Sequence, residues 1–262
     1  MNYLDNYYNQ YEEDDRLLKR CGQVEYLTTM QYVNEILAGD KSKRILEVGA
    51  GTGRYSVTLA KEGYKVDAVE LIEHNLEVMR SKLDGTEDIR TYQGNAQDLS
   101  VFAEDTFDLT LVLGPLYHLY TEEDKTQALE EAVRVTKKGG YICVAYCMND
   151  SVVIQESFIK GALKQHLEKN MLTEDFHCIS KPEDLFAMVR LEEIYALTEG
   201  LPVKREKIIA TDGASKYLGQ IVEDFDEETF QIWMKYHLAT CERMDLIGAT
   251  NHSLDILKKK EK

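Results

Sequence analysis

The sequence predicts an α/β protein with a doubly wound, mainly parallel sheet. Two observations predict it: short apolar segments alternate with amphipathic helical segments through the middle of the chain, and a glycine-rich turn follows the first apolar segment. Strands that alternate with helices form parallel sheets with right-handed crossovers. At 262 residues, 44% of them hydrophobic, the chain can bury the core of one large domain.

The elements follow in order along the chain. Residues 1–40 read as a helical lid, because apolar positions from Leu17 to Leu37 recur at roughly helical spacing. Residues 41–150 form the predicted core, and residues 151–262 form a helical cap that also carries the last two strands. The predicted strands are Arg44–Val48, Lys65–Glu70, Ile89–Gln93, Phe107–Leu113, Tyr141–Cys147, Lys207–Thr211 and Ser253–Leu257. The predicted helices are Tyr55–Lys61, Glu73–Leu83, Glu122–Thr136, Ser151–Asn170, Pro182–Thr198 and Asp226–Met244, with a turn at Lys137–Gly140.

The overall charge argues against a nucleic-acid substrate. The formal net charge is −16, whereas nucleic acid is normally bound through a basic surface. No apolar run is long enough to span a membrane, and residues 1–15 have neither the basic flank nor the apolar stretch of a secretion signal. We therefore expect a cytoplasmic protein that binds neither nucleic acid nor membrane. Whether it is a monomer or a homodimer does not follow from these features.

The five cysteines are scattered along the chain, and no two of them form a C-x-x-C pair. An odd number of scattered cysteines argues against a disulfide framework. Without a paired motif, a structural zinc site is not expected either. We predict no metal site.

The strongest functional signal is a turn with three alternating glycines, Gly49, Gly51 and Gly53, between the first strand and the first helix. Open α/β sheets bind ligands at the carboxyl ends of their strands, and glycines let the backbone approach the ligand. The start of the helix offers amides to an anionic group. Dinucleotide sites use the spacing G-x-G-x-x-G instead. Glu47, at the end of the strand, would repel a pyrophosphate but can engage an ammonium group.

Two later segments extend this site. Glu70 ends the second strand, where a carboxylate can accept hydrogen bonds from ribose hydroxyls. The loop after the third strand contains Asn95 and Ala96. A polar side chain there can bond the edge of an adenine, and a small residue leaves room for the ring.

Together these segments resemble the class I S-adenosylmethionine-dependent methyltransferases over about Arg44 to Tyr146. The matching features are E-x-G-x-G-x-G at Glu47–Gly53, the acid Glu70, and a G-D-A-x-D-L-like loop at Gly94–Leu99, where Asn95 replaces the more usual aspartate. The resemblance implies a Rossmann-like seven-stranded sheet in the order 3-2-1-4-5-7-6, with strand seven antiparallel, and S-adenosyl-L-methionine as cofactor. The candidate cofactor-binding residues are Glu47, Gly49, Ala50, Gly51, Gly53, Arg54, Glu70, Leu71, Asn95, Ala96, Leu113 and Gly114.

The methionine end of this cofactor carries a carboxylate as well as an amine. The backbone amides from Gly49 to Gly51 are candidate donors to the carboxylate. Arg16 and Arg54 are candidate charge partners, although Arg54 at the start of a helix also suits a solvent-facing position.

The segment after the fourth strand, Gly114–Leu119, reads G-P-L-Y-H-L. It resembles the version found in the UbiE-like group of bacterial small-molecule methyltransferases rather than the N/D/S-P-P-Y/F motif of DNA amino-methylating enzymes. His118 is the candidate general base, or else a hydrogen-bonded structural histidine. Tyr117 is the second candidate catalytic residue, because an aromatic face attracts a sulfonium cation, but it also suits core packing.

Two further groups of residues have open roles. The N-terminal tyrosines Tyr3, Tyr7 and Tyr11 share one helical spacing, with Tyr8 beside them, and could form a lid over the cofactor or pack on the domain. The cap contains Trp233, Tyr236, His237 and His252. These residues could line the substrate pocket or anchor the cap to the sheet.

The leading hypothesis is methyl transfer from S-adenosylmethionine to O, N or S of a small molecule. Methylation of a protein or nucleic acid, and cofactor binding without catalysis, are the alternatives. Arsenic methyltransferases bind a metalloid through several cysteines, but Cys143 and Cys147 lie in a predicted strand, where a buried cysteine packs as a small apolar side chain.

Overall fold

The structure, a computed structural model, describes residues 3–8 and 17–261, without the side chains of residues 5, 6 and 8. Tyr11 and Arg16, and the side chain of Tyr8, therefore lie outside the described residues. The described strands are β1 (Arg44–Val48), β2 (Lys65–Glu70), β3 (Ile89–Gln93), β4 (Phe107–Val112), β5 (Thr136–Met148), β6 (Met188–Val189), β7 (Val203–Ala210) and β8 (His252–Lys259).

Helices surround these strands. The described α-helices are α1 (Tyr3–Tyr8), α2 (Arg20–Leu37), α3 (Arg54–Lys61), α4 (Glu73–Ser81), α5 (Glu122–Val135), α6 (Asn149–Val152), α7 (Leu163–Glu168), α8 (Leu191–Leu197), α9 (Ser215–Leu218), α10 (Gln220–Glu223) and α11 (Glu227–Thr240). Short 3₁₀ helices lie at Pro115–His118, Pro182–Asp184 and Ile247–Ala249, and a π-helix continues α6 at Val153–Ile159. In the described part of the chain, no helix combines the length and apolarity needed to cross a membrane.

The strands form one sheet in the order β3-β2-β1-β4-β5-β8-β7, and the two-residue strand β6 pairs separately with the end of β5. Strands β1 to β5 are parallel, whereas β8 runs antiparallel to both β5 and β7. This confirms the predicted fold class and the strand order. β4 is buried at five of its six positions, as expected for a strand covered on both faces. The carboxyl ends of β1, β2 and β4 therefore meet at one edge of the sheet.

The predicted turn at Lys137–Gly140 is wrong. These residues belong to β5, which begins at Thr136 and pairs with β4 through a register shift between Phe107 and Leu109. Gly139 has φ +73°, so the glycine allows an irregular strand start rather than a separate turn.

The cap is less helical than predicted. The predicted helix at Ser151–Asn170 is interrupted around Gly161, which has φ +72°. The predicted helix at Pro182–Thr198 is wrong over most of its first half, because Leu185 has φ +69° and β6 pairs with the end of β5. Only α8, with seven residues or about two turns, is α-helical in that segment. Tertiary pairing to the sheet has overridden the local helical pattern.

Candidate functional site

The three glycines of the turn after β1 serve different purposes. A Cβ atom on Gly49 would lie 2.6 Å from Pro115 Cδ, and one on Gly53 would lie 2.5 Å from Met79 Cγ. Gly51 has φ +53°, and a Cβ there would meet nothing within 4 Å. Gly49 and Gly53 are thus needed for close packing, whereas Gly51 borders open space.

The amides of this turn are occupied within the protein. The N–H groups of Gly49 and Ala50 donate to the carbonyl of Val69, at 2.8 and 3.0 Å. The N–H of Gly51 donates to Glu70 Oε2 at 2.9 Å. The prediction that these amides are free donors to an anionic group is therefore wrong, because the turn is tied to β2 instead.

Arg54, the first residue of α3, is a candidate donor to an anionic group in place of these amides. Its Nε is buried and has no hydrogen-bond partner among the described residues. The guanidinium lies over the ring of Tyr26, with Cζ 4.6 Å from the ring centre. A buried, unpaired donor beside the glycine turn fits the carboxylate of a ligand.

Glu70 is held in place by three hydrogen bonds. Its Oε1 accepts from the Ile72 amide at 3.0 Å and from Asn75 Nδ2 at 3.2 Å, and its Oε2 accepts from Gly51. A carboxylate has about four acceptor positions, so one position on Oε2 is left for a ligand hydroxyl. A second ribose hydroxyl would have to replace one of the three existing bonds.

Glu47, inside the end of β1, is buried. Its Oε2 accepts hydrogen bonds from the amide of Ser56 at 2.8 Å and from the Ser56 hydroxyl. Burial raises the pKa of Glu47 to about 8, against the effect of the Ser56 hydrogen bonds and with a contribution from the charge of Glu70. The free protein therefore holds Glu47 mostly protonated at neutral pH.

These side chains line one cavity of about 400 Å³ at the carboxyl edge of the sheet. The volume lies in the range of small-molecule sites, about 300–1,000 Å³. Gly53 is the one predicted site residue that does not line it. The predicted residues that do are Glu47, Gly49, Ala50, Gly51, Arg54, Glu70, Leu71, Asn95, Ala96, Leu113, Gly114, Tyr117 and His118.

Asn95 lies in the loop after β3 at the wall of this cavity. Its Oδ1 accepts a hydrogen bond from the amide of Gln97 at 3.1 Å, which closes a local turn. Ala96, the next residue, is buried, and Leu71, the first residue after β2, is 43% exposed; both line the cavity. Small and apolar side chains next to an amide suit an adenine ring.

His118 ends the 3₁₀ helix at Pro115–His118. Its Nδ1 lies 2.7 Å from the carbonyl oxygen of Leu185, which can only accept, so Nδ1 carries the proton. Burial lowers the pKa of His118, against this hydrogen bond. The neutral ring therefore has its basic lone pair on Nε2, which is the state that a general base needs.

Tyr117 lies between two histidines of the cavity wall. Its ring centre is 5.3 Å from that of His118 and 6.3 Å from that of His252. Phe186, from the cap, packs against Tyr117 at 6.1 Å. The cap segment thus covers the loop that follows β4.

The residues with open roles are divided between the cavity and the cap. Tyr7 lines the cavity, whereas Tyr3 is 44% exposed. His252 lines the cavity, but Trp233, Tyr236 and His237 do not. Trp233 Nε1 donates to the hydroxyl of Ser215 at 3.0 Å, His237 is buried and Tyr236 is 54% exposed. Helix α11 therefore contributes Trp233 and His237 to the packing of the cap and not to the cavity wall.

Sequence reasoning missed several lining residues, chiefly Phe186, Lys216 and Leu17. No motif marks them, because they reach the cavity from the cap and the N-terminal segment through tertiary packing. None of the five cysteines lines the cavity, and Cys143 and Cys147 are buried in β5. This does not support a thiolate site for a metalloid.

Comparison with known proteins agrees with this arrangement. Residues 45–140 match a family model described as a methyltransferase domain. A demethylmenaquinone methyltransferase of Clavibacter sepedonicus is 35% identical over 102 residues, which are 39% of this chain and 40% of that protein. A ubiquinone biosynthesis O-methyltransferase of Alkalilimnicola ehrlichii is 28% identical over 197 residues, 72% of this chain and 77% of that protein.

The fold likeness extends over nearly the whole chain. The crystal structure of a SAM-dependent methyltransferase from Thermotoga maritima superposes with a TM-score of 0.62 at 22% identity, covering 98% of this chain and 99% of that one. The match to the demethylmenaquinone methyltransferase, by contrast, spans less than half of that protein's length. The family assignment therefore rests on the core that carries the glycine turn: residues 45–140 are a class I S-adenosylmethionine-dependent methyltransferase domain.

Proposed function

We propose that this protein transfers the methyl group of S-adenosylmethionine to an oxygen, nitrogen or sulfur atom of a small molecule. One observation carries the proposal. A single cavity is lined by the glycine turn, by Glu47 and Glu70, and by His118, whose lowered pKa favours the neutral ring. Such a cavity can hold a cofactor and an acceptor next to each other.

The side chains present fit the cofactor. Gly51 leaves open space that a Cβ would fill, and Arg54 has a buried Nε without a partner among the described residues. Glu70 would accept a ribose hydroxyl, Glu47 would face the ammonium group, and Arg54 would face the carboxylate. Asn95, with its apolar neighbours, would hold the adenine.

When bound, S-adenosylmethionine supplies a methyl group on a positively charged sulfur. Methyl transfer is an in-line displacement, so the protein's main contribution is alignment of the acceptor. Nε2 of His118 would take the proton that a hydroxyl or ammonium acceptor loses. The face of Tyr117 would stabilise positive charge beside it.

The remaining parts of the chain fit the same proposal. Residues 1–40 would form a lid, since Leu4 and Tyr7 of α1 line the cavity, and residues 151–262 would form the cap that shapes the acceptor pocket. A covered cavity and a net charge of −16 favour a small acceptor over nucleic acid. We further propose a cytoplasmic monomer or homodimer in the UbiE-like group.

Calorimetric titration with S-adenosylhomocysteine tests the cofactor site, with NADH as the control ligand. Gly51→Val places a side chain in the open space of the cavity, and we expect it to abolish binding. Gly85→Val is the matched control, because Gly85 also has positive φ, +91°, and open space around it, but lies outside the cavity. Both variants should lose similar stability. Equal affinity of Gly51→Val and the wild type would contradict the proposed site.

Turnover is tested next with a panel of alcohols, amines and thiols. Formation of S-adenosylhomocysteine that depends on the acceptor supports an enzyme. Tight cofactor binding without turnover on any small acceptor, protein or RNA would favour a cofactor-binding protein without catalysis.

A further inference from the structure

Two cations line the cavity at a distance from the proposed cofactor site. Lys216 belongs to α9, and His252 is the first residue of β8. In the sheet order, β8 is three strands from β1, or about 14 Å at the usual strand spacing. The glycine turn follows β1, whereas Tyr117 and His118 follow β4, between the two. Lys216 and His252 therefore border the part of the cavity where an acceptor would lie.

The ring of His252 is fixed by a buried aspartate. Its Nδ1 lies 2.9 Å from Asp212 Oδ2, and Glu25 Oε2 is 3.4 Å from the same nitrogen. Asp212 is fully buried, and its Oδ1 accepts from the Thr250 hydroxyl at 2.6 Å and from the Asn251 amide at 2.9 Å. This network sets both the ring orientation and the proton on Nδ1.

The environment of His252 favours the protonated ring. Burial alone would lower the pKa of His252, but the charge of Glu25, the hydrogen bond to Asp212 and the interaction with Cys147 raise it well above its usual value. Neither carboxylate lines the cavity. The two carboxylates thus lie outside the cavity lining, whereas His252 is part of it.

Lys216 provides the second charge. Its ammonium group makes no hydrogen bond or ion pair with any other part of the described chain, although its charge contributes to a lowered pKa of Asp212. An unpaired cation at the wall of a half-enclosed cavity is a ready partner for an anionic ligand.

We propose that Lys216 and His252 form a carboxylate-binding site and that the methyl acceptor is a small molecule with a carboxylate. The proposal rests on the proposed function, because it identifies the acceptor of that reaction. His252 is paired with Asp212, whereas Lys216 has no ion-pair partner among the described residues, so the site offers one uncompensated positive charge and suits a monoanion better than a dianionic phosphate. The carboxylate would anchor the acceptor while its nucleophile reaches toward His118.

Ligand-observed NMR with matched acids and amides tests this without requiring turnover. The pairs are benzoate and benzamide, 4-hydroxybenzoate and 4-hydroxybenzamide, and sarcosine and sarcosinamide, each titrated with and without saturating S-adenosylhomocysteine. The variants are Lys216→Met and His252→Gln. Lys138→Met is the charge-matched control, because Lys138 is exposed at the start of β5, outside the cavity.

We expect at least one acid to bind the wild type and Lys138→Met about tenfold or more tightly than its amide, as a charged hydrogen bond predicts. The preference should fall to about one in Lys216→Met and His252→Gln. No acid preference in the wild type, or an unchanged preference in Lys216→Met, overturns the proposal. If the wild type does not bind S-adenosylhomocysteine, the result contradicts the proposed function instead. Failure of the carboxylate site and failure of the proposed function are therefore distinguishable.

Discussion

The protonation state of the buried Glu47 carboxyl group should change when the cofactor binds. The side chain is 1% exposed, and burial raises the pKa of Glu47 to about 8. In the free protein the carboxyl group is therefore mostly protonated near neutral pH. The ammonium group of a bound cofactor would favour the carboxylate and lower the pKa of Glu47. Binding should then release a proton.

The size of this effect follows from the pKa. A group with a pKa of about 8 holds about 0.9 proton at about pH 7, so binding of S-adenosylhomocysteine should release up to about 0.9 proton. The complex holds fewer protons than the free protein, so affinity rises with pH. The rise should approach about tenfold per pH unit between roughly pH 6 and 8 and level off above the pKa of the free protein.

Calorimetry in two buffers measures the release. Phosphate and Tris differ in ionisation enthalpy, so the difference in observed binding enthalpy at one pH gives the number of protons released. Glu47→Gln is the control, because the amide keeps the size of the side chain and an acceptor for the Ser56 amide but does not titrate. Zero release by the wild type, or the same release by Glu47→Gln, would refute the reasoning.

Three further variants test the other parts of the structure. His118→Asn keeps an amide donor near the position of Nδ1 for the Leu185 carbonyl but loses the base. Turnover should therefore fall about 100-fold or more while calorimetric affinity for S-adenosylhomocysteine stays constant, and unchanged turnover would exclude the base role. Glu70→Gln should weaken that affinity by about 1–3 kcal/mol, and equal affinity would exclude the ribose contact. Arg205 Nε lies 2.7 Å from the fully buried Asp255, and Arg205→Met leaves Asp255 without this ion-pair partner. The free energy of unfolding, measured in urea, should fall by about 3–5 kcal/mol. A loss below about 1 kcal/mol would contradict this reasoning.

The core of the fold could be predicted from local patterns. The bounds of β1, β2 and β3 agree with the prediction at both ends. β1 and β2 are mostly buried runs flanked by glycine or polar turns, which have few alternatives, whereas no residue of β3 is buried. The same segments carry the cofactor signals at their carboxyl ends. A local pattern therefore predicted both the strands and the side of the sheet on which Glu47 and Glu70 lie.

The cap and the details of the turn could not be predicted in this way. Residues 182–198 have a helical pattern, yet β6 forms because the end of β5 offers a pairing edge that no local pattern reveals. The amide of Gly51 bonds Glu70, nineteen residues away, so its occupation is a tertiary property. Phe186 and Lys216 reach the cavity only because the cap folds over it.

The two histidines of the cavity show how partners distant in sequence give one residue type opposite properties. His118 is bonded to the carbonyl of Leu185, 67 residues away, which has no net charge, so burial dominates and lowers its pKa. His252 is bonded to Asp212, 40 residues away, with Glu25 nearby, and the charge of Glu25, the hydrogen bond to Asp212 and the interaction with Cys147 outweigh burial and raise its pKa. The neutral ring can accept a proton, whereas the charged ring can hold an anion. Their partners, rather than the histidines themselves, therefore determine which ring suits catalysis and which suits recognition of the acceptor.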